Sequence, residues 1–191
     1  MIIGCLSVFN EAEKIKQAIE SLSFCDRVIV VDGAYTGYPI QGRSSDGTRR
    51  IAKRCGAEVI AGEGLTQVEQ RNLCFEAVKD DCYFIVLDAD EEFRGELPEL
   101  KEEAYRVKHT GYRCILPTIR VFKSGVRYAG AHNFLWRGDR ILKNEDYHLL
   151  DTVGIHHLRR KNQTAREATN LKYFLYQIDE ERPAREEVNI F

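Results

Sequence analysis

Apolar residues gather in short unbroken runs along the first half of the chain, and between those runs they recur at helical spacing. IIGCLSVF (2–9), RVIVVD (27–32), AEVIA (57–61) and the start of YFIVLDADEEF (83–93) are runs of the first kind. Continuous apolar runs of this length mark strands covered on both faces. After the first run, Asn10 with Glu13 makes a capping-box pattern, and Ile15, Ala18, Ile19 and Leu22 share one helical face. Asp46 or Ser45 is placed to cap a helix running to about Cys55, with Gly56 at its C′ position. TQVEQRNLCFEAVKD (66–80) predicts a third helix with Cys74, Ala77 and Val78 inward.

This alternation predicts an α/β fold, a mainly parallel central sheet with helices on both faces. Ligands of such sheets bind outside the carboxyl ends of the strands, and Asp32 and Asp88 both stand there. The second half is less regular. ELPELKEEAYRVK reads as a helix, YRCILPTIRVF and VRYAGAHNFLW as strands forming an antiparallel pair, and VGIHHL as a short strand. Ala168, Leu171, Leu175 and Ile178 mark an amphipathic helix over residues 162–181, ended near Pro183. GAYTGYPIQGRSSDG (33–47) is a long loop beside Asp32, either covering a substrate or a plain surface insertion. With no repeat or linker, residues 1–191 form one domain, 1–93 and 94–191 being its halves.

Composition narrows the function. The chain has 191 residues, 43% apolar and 30% charged, and a net charge of −2, which gives nucleic acid no electrostatic case as a partner. No apolar run approaches the ~20 residues of a membrane span, and Met1 leads straight into a strand rather than a signal peptide. A cytoplasmic protein is expected, with peripheral membrane association, oligomeric state and any further domain left open. The six cysteines contain no C-x-x-C pair and read as reduced core residues.

The chemistry starts at YFIVLDADEEF, where a buried strand runs into Asp88, Asp90 and Glu91. Buried carboxylates are costly unless paired or bound to a cation. Mg²⁺ or Mn²⁺ suits a D-x-D at a strand end and completes its shell with substrate phosphates. The bland alternative is a solvated turn capping a following helix. Asp32 suits a hydrogen bond from a base or ribose, and Phe9 could stack on a base. Arg71, on an otherwise inward helix with Asn72, needs an anion: a diphosphate, Asp90 or Glu69. His132, His156 and His157 are candidates for metal or phosphate.

Taken together, SVFNEAEKIKQAIESL, RVIVVDG, SSDGTRRIAKRCGAEVI, TQVEQRN and FIVLDADEEF resemble the successive blocks of family 2 glycosyltransferases with the GT-A fold. The blocks are most similar to small lipopolysaccharide-core-type β-glucosyltransferases. The resemblance covers residues 2–93 and continues more loosely through YAGAHNFLW and IHHLRRKNQTAREATNLKYFL. It implies an inverting, metal-dependent transfer from a nucleotide-diphosphate sugar, a UDP-sugar by expectation, to a hydroxyl of a glycan or of a lipid- or protein-linked acceptor. Ser7, Phe9, Asn10 and Glu11 would line the donor site, Phe9 by stacking, and Asp32 would bond the base. Asp46 would order the loop and donor end, Arg71 would face the diphosphate or donor sugar, and Asp88 the ribose or sugar. Asp90 would hold Mn²⁺ or Mg²⁺, with Asp88 and His157, or failing that His156, beside it.

Two departures stand out. GAYTGYPIQGR intervenes before the S-x-D-G-T block, which puts the place of Asp46 in question. His132-Asn133 replaces the family's H-E, so the base must be sought in Asp139, Glu91 or His132, in that order. The alternatives are a nucleotide-sugar-binding module that has lost catalysis, and a sugar-phosphate nucleotidyltransferase. The second is disfavoured because SVFNEAEK carries no glycine for a triphosphate-binding loop.

Overall fold

β1 (Ile2–Val8), β2 (Arg27–Asp32), β3 (Glu58–Ala61) and β4 (Tyr83–Asp88) pair in parallel in the order β3-β2-β1-β4. This is the half of the sheet that the apolar runs predict. The computed structural model describes residues 1–110 and 118–158, and of residues 131–133 only the backbone. Side chains alternate across the strands, so each face has its own core. Leu6, Val8, Val30 and Leu87 pack against α1 (Ile15–Ser21) and α2 (Thr48–Arg54), while Ile3, Cys5, Ile29 and Val86 pack against α3 (Gln67–Glu76). Among the described residues no helix is long and apolar enough to cross a membrane.

Two expected caps do not form, Asn10 on α1 and Asp46 or Ser45 on α2, which opens on Gly47 with no side-chain cap. Asn10 does not cap α1: its backbone is left-handed at φ 54°, and the helix begins at Ile15 with no side-chain cap. Asn10 turns outward because the 33–47 segment claims both its N–H and its side chain, as described below. Gly56 follows α2 with φ +85°, the left-handed stop that glycine supplies. α3 opens on a Thr66–Glu69 capping box and ends at Glu76 rather than Asp80.

The second half corrects two expectations. ELPELKEEAYRVK is not a helix: residues 96–100 have no regular structure and Ala104–Thr110 forms strand β6. Pro98 interrupts the helical pattern, and Val107 and His109 alternate with exposed Lys108 and Thr110, a period of two. Nor, among the described residues, do the two later runs pair with each other. β7 (Thr118–Lys123) lies antiparallel between β4 and β6, while β8 (Val126–Ala129) and β9 (Ala131–Arg137) fold back on themselves around Gly130. With β10 (Arg140–Ile141) they make a separate three-stranded sheet. VGIHHL is the end of a longer strand, β11 (Tyr147–His157).

The acids after β4 lead into a strand and cap no helix. β5 (Glu91–Gly95) leaves β4 through Ala89 and Asp90, yet it pairs antiparallel with β11 at the far end of the order β3-β2-β1-β4-β7-β6-β11-β5. The sheet must therefore curl back on itself, and α1 packs across the fold: Phe24 meets Phe93 at 5.1 Å between ring centres, and the Phe93 N–H donates to Ser21 Oγ at 3.0 Å. The predicted helix 162–181, Cys114 and the rest of 111–117 lie outside the described residues.

Candidate active site

Register fixes the rim. Ser7 on β1 stands level with Asp88 on β4, and Val8 with Asp32 on β2, so the strand ends bring Ser7, Phe9, Asp32 and Asp88 to one edge of the sheet. Asp32 is buried. Its Oδ2 accepts from the Ser44 N–H at 3.2 Å and lies 3.7 Å from Arg49 Nε, but Oδ1 has no hydrogen-bond partner. Burial pushes its carboxyl above the usual range, against the lowering effect of Ser44 and Arg49.

The segment after Asp32 is stitched onto the loop after β1. The Asn10 N–H donates to Ser44 Oγ at 2.8 Å, and Asn10 Oδ1 accepts from the Ser45 N–H at 2.9 Å. Asp46 Oδ2 accepts from the Ala12 N–H at 3.0 Å and its Oδ1 from the Thr48 N–H at 3.0 Å, while the Glu11 N–H donates to Thr48 Oγ1 at 2.7 Å. The inserted residues thus loop out and leave Asp46 joined to the loop after β1. The insertion is closed by Ala34 N–H to Gly42 O at 2.8 Å and pinned by Thr36 to Gly64 and Leu65. It also reaches the rim. Tyr38 meets Phe9 edge to face at 5.6 Å, and the charges acting on the half-buried Tyr35 phenol are Arg71, Asp88, Glu11 and Asp90.

The negative charge at the end of β4 is answered by arginine. Arg71 Nη2 lies 3.1 Å from Asp88 Oδ1, and its guanidinium stands over the Tyr128 ring at 5.3 Å. Arg120 of β7 lies 2.7 Å from Glu91 Oε1 and 3.5 Å from Asp88 Oδ2. Burial works against the charge on Arg120, but Glu91 and Asp88 outweigh it and hold the guanidinium protonated. Glu91 also sits 2.8 Å from His109 Nε2 and accepts the Asp88 N–H at 2.8 Å. Arg71 pairs with Asp88, an anion the sequence reading did not offer it; Glu69 is taken by its capping box and Asp90 lies beside His157. Asn72 pins α3 to β8 through both backbone groups of Tyr128.

Asp90 reaches across to β11. Its Oδ2 lies 3.1 Å from His157 Nε2, both side chains being mostly buried, while its carbonyl accepts the Leu158 N–H. The Asp90 carboxylate is the kind of oxygen ligand Mn²⁺ or Mg²⁺ takes, with phosphates and water completing the shell, while the His157 imidazole is a softer donor better suited to Mn²⁺ than to Mg²⁺. Among the described residues no three His, Cys, Asp or Glu side chains converge as a ready-made metal cage. His156 faces elsewhere, its Nδ1 3.1 Å from Thr110 Oγ1.

The base candidates divide. Asp139 is exposed in the turn after β9, beyond Arg137, which contacts Ser124 where β7 ends. Lys123 pairs with Tyr83 at the amino end of β4, so Asp139 lies at the opposite end of the sheet from Asp88. Glu91 is spent on His109, Arg120 and the Asp88 amide. His132 falls near the start of β9, the end that β8 ties to α3 beside Arg71. A recess of about 570 Å³ opens between α1 and α2, lined by Glu13, Lys16, Glu20, Ile51 and Arg54, and holds none of the rim acids. Sequence reading missed Arg120 and His109; an arginine inside the apolar run TIRVF was the available signal.

A parallel half-sheet with carboxylates at its carboxyl rim and a curled antiparallel extension is the architecture of GT-A glycosyltransferases. The chain belongs to glycosyl transferase family 2, whose family model matches residues 5–165. It is similar in structure to glucosyl-3-phosphoglycerate synthase from Mycobacterium tuberculosis, in complex with Mn²⁺, UDP and glucosyl-3-phosphoglycerate. The two are 14% identical with a TM-score of 0.55, over 94% of this chain and 79% of that one. S. aureus TarS is also similar, at 12% identity and a TM-score of 0.49, over 83% of this chain and 36% of TarS. TarS 1–349 in complex with UDP gives 18% identity and a TM-score of 0.39, over 49% of this chain and 28% of that one. The chain therefore spans about a third of TarS. No curated protein matches its sequence.

Proposed function

We propose that the chain is an inverting glycosyltransferase that takes a sugar from a UDP-sugar and passes it to a hydroxyl of a glycan or lipid-linked acceptor, with Mn²⁺ or Mg²⁺ as cofactor. The observation that carries the reading is one rim holding a buried acid, Asp32, with an open carboxylate oxygen, and a separate Asp90–His157 contact. Asp32 Oδ1 is free to accept a nucleobase N–H. Phe9 offers a ring face to the base. Asp88, between Ser7 and Arg71, accepts from ribose or sugar hydroxyls, and Arg71 faces the diphosphate. Asp90 and His157 would hold the cation, which when bound supplies charge to stabilise the departing diphosphate. His132, the base candidate at the rim end of its strand, takes the acceptor proton, so that oxygen attacks opposite the leaving group.

The Mycobacterium structure of the same fold carries UDP and Mn²⁺, which supports the donor and metal classes. Cys5, Cys25, Cys55, Cys74 and Cys82 are free thiols, which supports a cytoplasmic setting. Residues 1–93 form the donor half in this reading and 94–191 the acceptor half. A second reading, a binding module without transfer, rests on Asn133 in place of an acid. A thermal-shift screen of nucleotide-sugars with and without Mn²⁺ tests both. A Mn²⁺-dependent rise in Tm with one donor, followed by turnover of that donor, supports the enzyme. A rise without turnover on any acceptor supports the module, and no rise with any donor overturns both.

A further inference from the structure

The buried charges behind Asp88 raise a question that the donor reading alone leaves unanswered. Arg71, Asp88, Arg120, Glu91 and His109 form one continuous chain of contacts across α3, β4, β7, β5 and β6. Burying ion pairs is expensive, and apolar side chains of similar volume often stabilise a core at least as well. Four members are nearly buried, with side chains 8%, 11%, 2% and 5% exposed for Arg71, Arg120, Glu91 and His109. Asp88 is the exception at 40%. The network's one open end is thus the carboxylate that stands on the rim.

Two acids and two arginines already balance, so Asp88 needs no cation. One arginine lies against each carboxylate oxygen, and the Asp88 backbone is held through its N–H by Glu91. A dication brought to Asp88 would meet both guanidiniums. These contacts leave an aimed, charge-compensated hydrogen-bond acceptor, whereas Asp90 beside His157 remains for the metal. Resting on the donor reading above, we infer that Arg120, Glu91 and His109 are positioning residues that fix Asp88 to accept hydroxyl hydrogen bonds from the donor rather than to ligate the cation.

Paired removal separates positioning from mere support. Glu91→Gln takes from His109 its anion and from Arg120 the nearer of its two, and should lower both Tm and donor affinity. Glu91→Gln with Arg120→Met removes the charges together, so Tm should recover relative to the single variant. Calorimetry with UDP-glucose, UDP-galactose and UDP-N-acetylglucosamine in Mn²⁺ then decides. The inference expects the double variant to bind the best wild-type donor about 10-fold more weakly, the loss of one charge-assisted hydrogen bond, with an unchanged Mn²⁺ midpoint. Donor affinity that recovers with Tm overturns it, and so does a Mn²⁺ midpoint that moves with donor affinity. If the double variant does not fold, Arg120→Lys carries the same test: a weaker donor at near-wild-type Tm supports positioning, and an unchanged donor refutes it. Wild-type protein that binds none of the three donors overturns the donor reading and this inference with it.

Discussion

His157 Nε2 and Asp90 Oδ2 approach to 3.1 Å where β11 and β5 meet at the rim. One side chain comes from the turn after the fourth strand and the other from the end of the eleventh, so neither segment alone carries the pair. Asp90→Ala and His157→Ala should each lower Mn²⁺-dependent donor turnover on the order of 10²-fold, the scale of losing one charge-stabilising contact in a transition state. Steady-state rates across a Mn²⁺ titration check this; wild-type rates in Asp90→Ala would remove the pair from the metal site.

Asp32 carries a prediction with two opposite signs. Burial raises its carboxyl pKa, so the folded protein holds this proton more tightly than the unfolded chain. Its contribution to stability is therefore most favourable below the unfolded carboxylate value and is lost as pH rises through the folded one. Asp32→Asn should accordingly raise Tm at neutral pH while weakening UDP about 10-fold through the lost charged acceptor. Wild-type UDP affinity should also fall on acidification earlier than an ordinary aspartate would dictate. Calorimetry and melting curves between pH 4 and 8 read both signs.

Asp46 behaves the other way. Burial opposes its charge, but the Thr48 hydroxyl and the Ala12 and Thr48 amides win and hold its carboxyl below the usual aspartate range. Its stabilisation is present above the unfolded value and disappears as pH falls through the lower folded one. Asp46→Ala should cost about 1 kcal/mol, the scale of a lost helix cap, with the difference from wild type shrinking in acid. Chemical denaturation at pH 7 and pH 3 measures the gap at each end.

Tyr38 tests whether the insertion belongs to the site. Tyr38→Ala removes the ring beside Phe9 and should weaken UDP by roughly 3- to 10-fold, the worth of one aromatic contact, whereas Tyr38→Phe should change it little. Equal affinity in all three proteins would make the loop a surface insertion.

The first half of the fold was legible because its strands are covered on both faces and so appear as unbroken apolar runs. The same runs placed Asp32 and Asp88 on one rim. β6 was not legible as a strand: KEEAYRVK is rich in helix formers, and only its tertiary place between β7 and β11 imposes the two-residue alternation. The surroundings of Glu91 were hidden for a related reason. Its partners His109 and Arg120 lie 18 and 29 residues away, and nothing local announces them. Asp139 follows His132 by only seven residues, but β9 is about 20 Å long at ~3.3 Å per residue and carries it away from the rim.

The curl of the sheet has a kinetic consequence. β5 emerges two residues after β4 but finds its partner only when β11 arrives, and Glu91 lies opposite His157 across that long loop in sequence. Contacts closing so large a loop are entropically late in folding. The Asp90–His157 contact is therefore among the last features to assemble, and if it holds the proposed cation, Mn²⁺ affinity during refolding would act as a clock for the completed sheet.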